Sequence, residues 1–250
     1  MTRLRVAGQR AIADPATWLA CGGAVVVLDA LRNEGLMVFG AAYATTDLMA
    51  FAVRHGTGYL RVGISADVAD RLGLPPMHNS FRQAVQGGFT VSVDARYGVG
   101  TGISAHDRAR TARLIADPSA QADDFTRPGH LLPVVAGPRD GDGEAMVARQ
   151  ALALVEAAGL TAAAVYSEIV SVQDPTTIMA ADEAEVFARS VGVPAIRIAN
   201  TAPQHAEARN GRNRMNDRHV SEDLAQVIGR SPSSSHTQSS QLAAVVPILS

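Results

Sequence analysis

Ala24-Val25-Val26-Val27-Leu28 is an uninterrupted β-branched run, and it opens the reading of the whole chain. Five apolar residues in a row, too few for a helix and following Gly22-Gly23, predict a strand buried on both faces, which Asp29 to Gly35 is expected to leave as a polar loop. Downstream the period changes repeatedly. Thr-Asp-Leu-Met-Ala-Phe-Ala-Val-Arg-His-Gly (residues 46–56) has helical spacing, with Thr46 expected as its cap and Gly56 as its stop. A second short helix is expected from Ser65 to Gly73, ahead of Pro75-Pro76. Phe89 to Val93 alternates like a strand, and the stretch from Thr101 to Asp117 starts with a Gly-containing turn and runs into an amphipathic helix that Ser104 is expected to cap. Leu131 to Val135 predicts another strand, and Gly143 to Ala158 an alanine-rich helix ended by Gly159. Ala162 to Tyr166 predicts a strand leading to Glu168, Asp182 to Val191 a helix ended by Gly192, and Pro194 to Ala199 a last strand. This alternation predicts an α+β fold: a single-domain layered α/β sandwich with a mixed sheet.

Residues 1–203 are expected to form that domain. From 204 the chain turns polar and rich in Arg and Asn, and Ser-Pro-Ser-Ser-Ser-His-Thr-Gln-Ser-Ser-Gln (231–241) has the composition of a disordered tail. The N-terminal stretch has no apolar run of signal-peptide length, and no segment reaches the roughly 18 apolar residues of a membrane span. The single cysteine, Cys21, forbids an intrachain disulfide. With a formal net charge of −2 there is no basic face for nucleic acid, so a cytoplasmic protein without a nucleic-acid or membrane partner is expected.

All 22 basic residues are arginines. Without lysine there is no Schiff base, no internal aldimine and no Walker-type phosphate loop. Chemistry on a carbonyl or phosphate must therefore run on carboxylates, histidines, arginines, backbone amides or a metal.

Four stretches are candidates. Arg32 and Glu34 follow the first buried strand, where ligand-facing loops collect, although a solvated turn would read the same. Asp94 and Thr101-Gly102-Ile103-Ser104 lie at a helix start whose free amides and hydroxyls suit an oxyanion; the alternative is that Ser104 simply caps the helix. Arg139-Asp140-Gly141-Asp142-Gly143-Glu144 precedes the alanine-rich helix, where Asp142 and Glu144 also fit a cap and a first-turn acid. Glu168, just after an apolar strand, either moves protons or pairs with an arginine.

These stretches, together with residues 49–59, 70–77, 89–96, 101–117, 124–133, 156–160 and 167–169, resemble the 3,4-dihydroxy-2-butanone 4-phosphate synthase family in content and order. The resemblance covers roughly residues 8 to 200. It implies a homodimer with the site at the subunit interface, and conversion of ribulose 5-phosphate to the butanone phosphate plus formate for riboflavin synthesis. Mg²⁺ polarises the substrate oxygens in the family while carboxylates move protons through enediols.

Carried over residue by residue, the resemblance retains Glu34, Asp94, Thr101, Ser104, His130, Arg139 and Glu168. It places Arg32 where the family has a metal-binding glutamate, Asp142 where it has a metal-binding histidine, Gly143 for a threonine and Leu36 for an aspartate. An arginine and an aspartate exchanged for two metal ligands predict an Arg32–Asp142 ion pair in the metal's place. The expectation that follows is a diverged enzyme on a sugar phosphate or related polyoxygenated anion. Glu34, Glu168, Arg32, Asp142 and Asp94 would serve the chemistry, and Arg139, Thr101, Gly102, Ser104 and His130 would bind substrate. No cofactor is then expected; if the family reaction is retained, Mg²⁺ would sit on Glu34 and Asp142. A catalytically inactive, ligand-binding or dimerising homologue is the third alternative.

Overall fold

The computed structural model describes residues 14–77, 87–138 and 143–198. Its centre is one mixed sheet. The strands are β1 (Val25–Asp29), β2 (Glu34–Gly40), β3 (Arg61–Ile64), β4 (Gly88–Phe89), β5 (Val93–Ala95), β6 (Phe125–Val135), β7 (Ala163–Glu168) and β8 (Ala195–Ile198). Their order is β4-β6-β3-β7-β2-β1-β8, with β5 also paired to β6. β8 runs parallel to β1 and β3 parallel to β6, while the other pairs are antiparallel.

Helices α1 (Pro15–Ala20) and α5 (Gly143–Ala157) cover one face, packing on Val25, Val27, Val38 and Tyr166. Helices α2 (Thr46–His55), α3 (Ala66–Arg71), α4 (Ala105–Ala116) and α6 (Ala181–Val191) cover the other, around Met37, Phe39, Val62 and Val165. With both faces covered, β1 is buried along its whole length, which is why Val25 to Leu28 shows no alternation. Gly63 lets α5 lie close: a Cβ there would meet the Ala148 carbonyl oxygen at 2.9 Å. Among the described residues no helix is long and apolar enough to cross a membrane.

Local signals hold at several element ends. Ser65 and Ser104 accept from the amides of Val68 and Asp107, and Gly192 closes α6 in the left-handed conformation. Three expectations need correction. The cap of α2 is Thr45, whose hydroxyl accepts from Leu48 N–H; Thr46 is the first helical residue. Phe89 to Val93 is not one strand, because the chain turns from β6 after Thr90, where Val91 N–H donates to the Pro75 carbonyl, and returns to it at Val93.

The largest difference is at 29–35, expected as a polar loop. It is instead a hairpin in which only residues 30–33 turn, and Glu34 already pairs with Asp29. The Asp29 carboxylate drives the turn by accepting from the amides of Leu31 (2.9 Å) and Arg32 (3.1 Å), and Asn33 takes a positive φ of 54°. The tail at 204–250 lies outside the described residues.

Candidate active site

The most connected polar cluster is buried on the α5 face of the sheet. Arg61 on β3 pairs across to Tyr166 on β7, so both side chains rise from the same face, and Glu168 follows two residues later on that face. The first turn of α5 brings Glu144 down onto them. Arg61 Nη1 donates to Glu144 Oε1 at 2.6 Å, and Nη2 donates to Glu168 Oε2 in a very short contact. The Tyr166 hydroxyl donates to the other Glu144 oxygen at 3.0 Å. The guanidinium lies 4.7 Å from the Tyr166 ring centroid and 5.3 Å from that of Tyr59.

Arg61 is only 3% exposed, yet its Nε has no partner. Burial by itself would lower the Arg61 pKa, but the hydrogen bond to Glu168 and the charges of Glu144 and Glu168 outweigh it and raise the value. Tyr166 is pushed well above the usual phenol range, by burial first and then by the charge of Glu144. It stays a hydroxyl donor at any working pH.

β2 carries the second group. Leu36 lies directly across from Glu168, and Glu34, two residues before it, shares that face. Arg32 Nε is 2.9 Å from Glu34 Oε2, with 30% and 25% of the two side chains exposed. Arg32 therefore pairs with Glu34. Its expected partner Asp142, like Arg139, lies outside the described residues.

A third group sits at the β5–β6 end. Asp94 accepts from the His130 amide at 2.9 Å and from His130 Nδ1 at 2.7 Å, which turns Nε2 away from the carboxylate. Of the stretch expected to cradle an oxyanion, the Gly102 amide already donates to Asp107 at 3.1 Å, as the Gly100 amide does at 3.2 Å, and the Ser104 hydroxyl accepts from the Asp107 amide as the helix cap. Thr101 is exposed beside it.

Gly102 is bound to this position twice over, by its φ of 85° and because a Cβ would lie 2.0 Å from Asp94 Oδ2 and 2.7 Å from His130 Nδ1. Gly102→Ala is expected to cost about 1–3 kcal/mol of stability, visible as a lower urea midpoint at unchanged slope.

Among the described residues, which leave out Asp142, there is no matching set of free ligands for the implied Mg²⁺. Among the described residues no group of three His, Cys, Asp or Glu is placed to hold a metal. Glu34 faces Arg32, and Glu144 and Glu168 face Arg61, so each of these carboxylates already opposes a fixed positive charge. Sequence reasoning passes over Arg61, treats Glu144 as a helix-terminus acid and counts Tyr166 as a strand residue. The signal that points to Arg61 is a lone arginine inside the apolar run Leu60 to Ile64.

Comparison with known proteins agrees with this architecture. A family described as 3,4-dihydroxy-2-butanone 4-phosphate synthase matches residues 14–202. The chain is 45% identical over 207 residues to the riboflavin biosynthesis protein RibBA of Mycolicibacterium gilvum, covering 80% of this chain and 47% of that protein. The RibBA protein of Mycobacterium tuberculosis is also 45% identical, with 80% and 46% covered. The chain thus spans about half the length of these relatives.

Among solved structures, the 3,4-dihydroxy-2-butanone 4-phosphate synthase of Candida albicans superposes with a TM-score of 0.67 at 32% identity, covering 79% of this chain and 98% of that one. A synthase structure in complex with two magnesium ions gives 0.65 at 34% identity, with 75% and 93% covered. With its mixed sheet, its ordered motifs and these matches taken together, the chain belongs to the 3,4-dihydroxy-2-butanone 4-phosphate synthase family of lyase-type enzymes.

Proposed function

We propose that the chain is a lyase-type enzyme that takes ribulose 5-phosphate to 3,4-dihydroxy-2-butanone 4-phosphate and formate. Family membership over residues 14–202 and the RibBA relatives at 45% identity support this reading ahead of the diverged one. The structural observation that carries it is the placing of Glu34 and Glu168 on one face of the adjacent strands β2 and β7, with Glu144 of α5 brought down beside Glu168 by Arg61. Carboxylates spaced along adjacent strands can take a proton from one substrate carbon and return it at another, as an enediol route requires. No second substrate is consumed, since the atoms of the pentulose phosphate divide between the four-carbon phosphate and formate.

Glu168 and Glu34 are the proton-moving groups in this proposal. Arg32, about a third exposed, is the cation open to a substrate oxygen. By the family resemblance Asp142 would share the metal position with Glu34, and Arg139 and Thr101 would hold the phosphate. His130, oriented by Asp94, would present Nε2 to the substrate. Two copies of the chain would complete the site as a homodimer.

A second reading has a specific observation in its favour. Each of Glu34, Glu144 and Glu168 is matched to an arginine, which favours metal-independent acid/base chemistry on a sugar phosphate or related polyoxygenated anion.

Purified protein is to be incubated with ribulose 5-phosphate, with Mg²⁺ and with a chelator, and formate measured. Formate release is the expected result. Release that survives chelation selects the second reading's metal independence. No formate in either arm, with a raised thermal midpoint in sugar phosphates, would sink the lyase proposal in favour of a binding role.

A further inference from the structure

Arg61 is explained neither by the fold nor by the proton chemistry proposed above. A fully buried strand position ordinarily takes an apolar residue, and burying a guanidinium is costly unless it is closely paired. Here the sheet accepts that cost at the point where two carboxylates converge from elements far apart in the chain: Glu144 is 83 residues away and Glu168 is 107. The guanidinium touches one oxygen of each, and the Tyr166 hydroxyl takes the remaining Glu144 oxygen. Two tyrosine rings flank its faces. Two converging carboxylates with a hydroxyl beside them make an oxygen-rich pocket of the sort a small hard cation occupies, and the arginine fills it with a charge that cannot dissociate.

We propose that Arg61 is a built-in cation standing between Glu144 and Glu168 in place of a divalent metal, and that it is the residue which positions both carboxylates. A guanidinium differs from a metal in three respects that matter here. It offers one positive charge against two negative ones, it directs its N–H groups along fixed vectors, and it has no open coordination position for a substrate oxygen. Glu168 is thereby held in one orientation beside Leu36, without exchange of the cation. This assignment concerns the cluster's own chemistry and stands whichever sugar phosphate is turned over.

The test is manganese binding, followed by electron paramagnetic resonance of the free ion and by calorimetry, on the full chain without substrate. Arg61→Met empties the space between the carboxylates, and its Mn²⁺ affinity is expected to exceed that of the unaltered protein by at least about tenfold. Adding Glu168→Gln to Arg61→Met is expected to abolish the gain. A folded Arg61→Met protein that binds Mn²⁺ no better than the unaltered chain overturns the proposal, as does a gain that survives the second substitution. Should Arg61→Met alone fail to fold, millimolar Mn²⁺ is expected to restore its cooperative thermal transition. Failure to restore it counts against the assignment in the same way.

Discussion

Glu168→Gln is expected to lower formate release from ribulose 5-phosphate by about 10²- to 10⁴-fold, the range typical of removing a positioned acid or base. The substitution is nearly isosteric. A glutamine carbonyl can still accept from Arg61 Nη2, so β7, Tyr166 and Glu144 should keep their places. Loss should therefore appear chiefly in kcat, with KM close to that of the unaltered protein and the thermal midpoint lowered only slightly, because Glu144 still opposes Arg61 with one negative charge. A variant that keeps more than about a tenth of the activity would remove Glu168 from the proton chemistry and leave Glu34 as the candidate. Midpoint and kcat falling together would instead mark Glu168 as a purely structural partner of Arg61.

The largest stability effect is expected at Arg61. Arg61→Met leaves Glu144 and Glu168 facing each other without their cation, and breaking a buried pair from one side costs about 3–5 kcal/mol. Urea denaturation at neutral pH should show this as a lower midpoint. Adding Glu144→Gln should recover part of the loss at neutral pH by removing one of the two negative charges. A neutral-pH loss below about 1 kcal/mol would show that the cluster is better solvated than its burial implies.

A dication would polarise a substrate oxygen by binding it directly, whereas the two Nη groups of the buried Arg61 are engaged by Glu144 and Glu168. Arg32 is the more accessible of the two, and among the described residues its side chain pairs with Glu34. Under the proposed function it is Arg32, at the hairpin turn and with its backbone amide tied to Asp29, that would polarise a substrate oxygen.

Much of the fold is legible in the amino-acid sequence. The β-branched run at 25–28, the caps at Ser65 and Ser104 and the stop at Gly192 are set by interactions within a few residues, so local pattern places them. The hairpin at 29–35 escapes such a reading because its turn depends on one aspartate carboxylate and one positive-φ asparagine, which look like loop chemistry until the second strand is paired. The site is legible only in part. Glu34 and Glu168 stand out by their places after apolar runs. The closure of Arg32 on Glu34 does not, because it is set by the hairpin that brings Glu34 onto β2; the Asp142 to which the motif points Arg32 lies outside the described residues.

By itself, then, the sequence determined the alternation of strands and helices, the absence of lysine-based chemistry and the candidacy of Glu34 and Glu168. Each of these follows from composition or from short-range pattern. Only the tertiary structure decided that Arg61 is the partner of Glu168 and Glu144, because that contact depends on the register of β3 against β7 and on how closely α5 can lie over Gly63. A charge pair formed across such separations leaves no period in the chain. It is set by which side chains the sheet brings to one face, and by a buried guanidinium's need to find its carboxylates there.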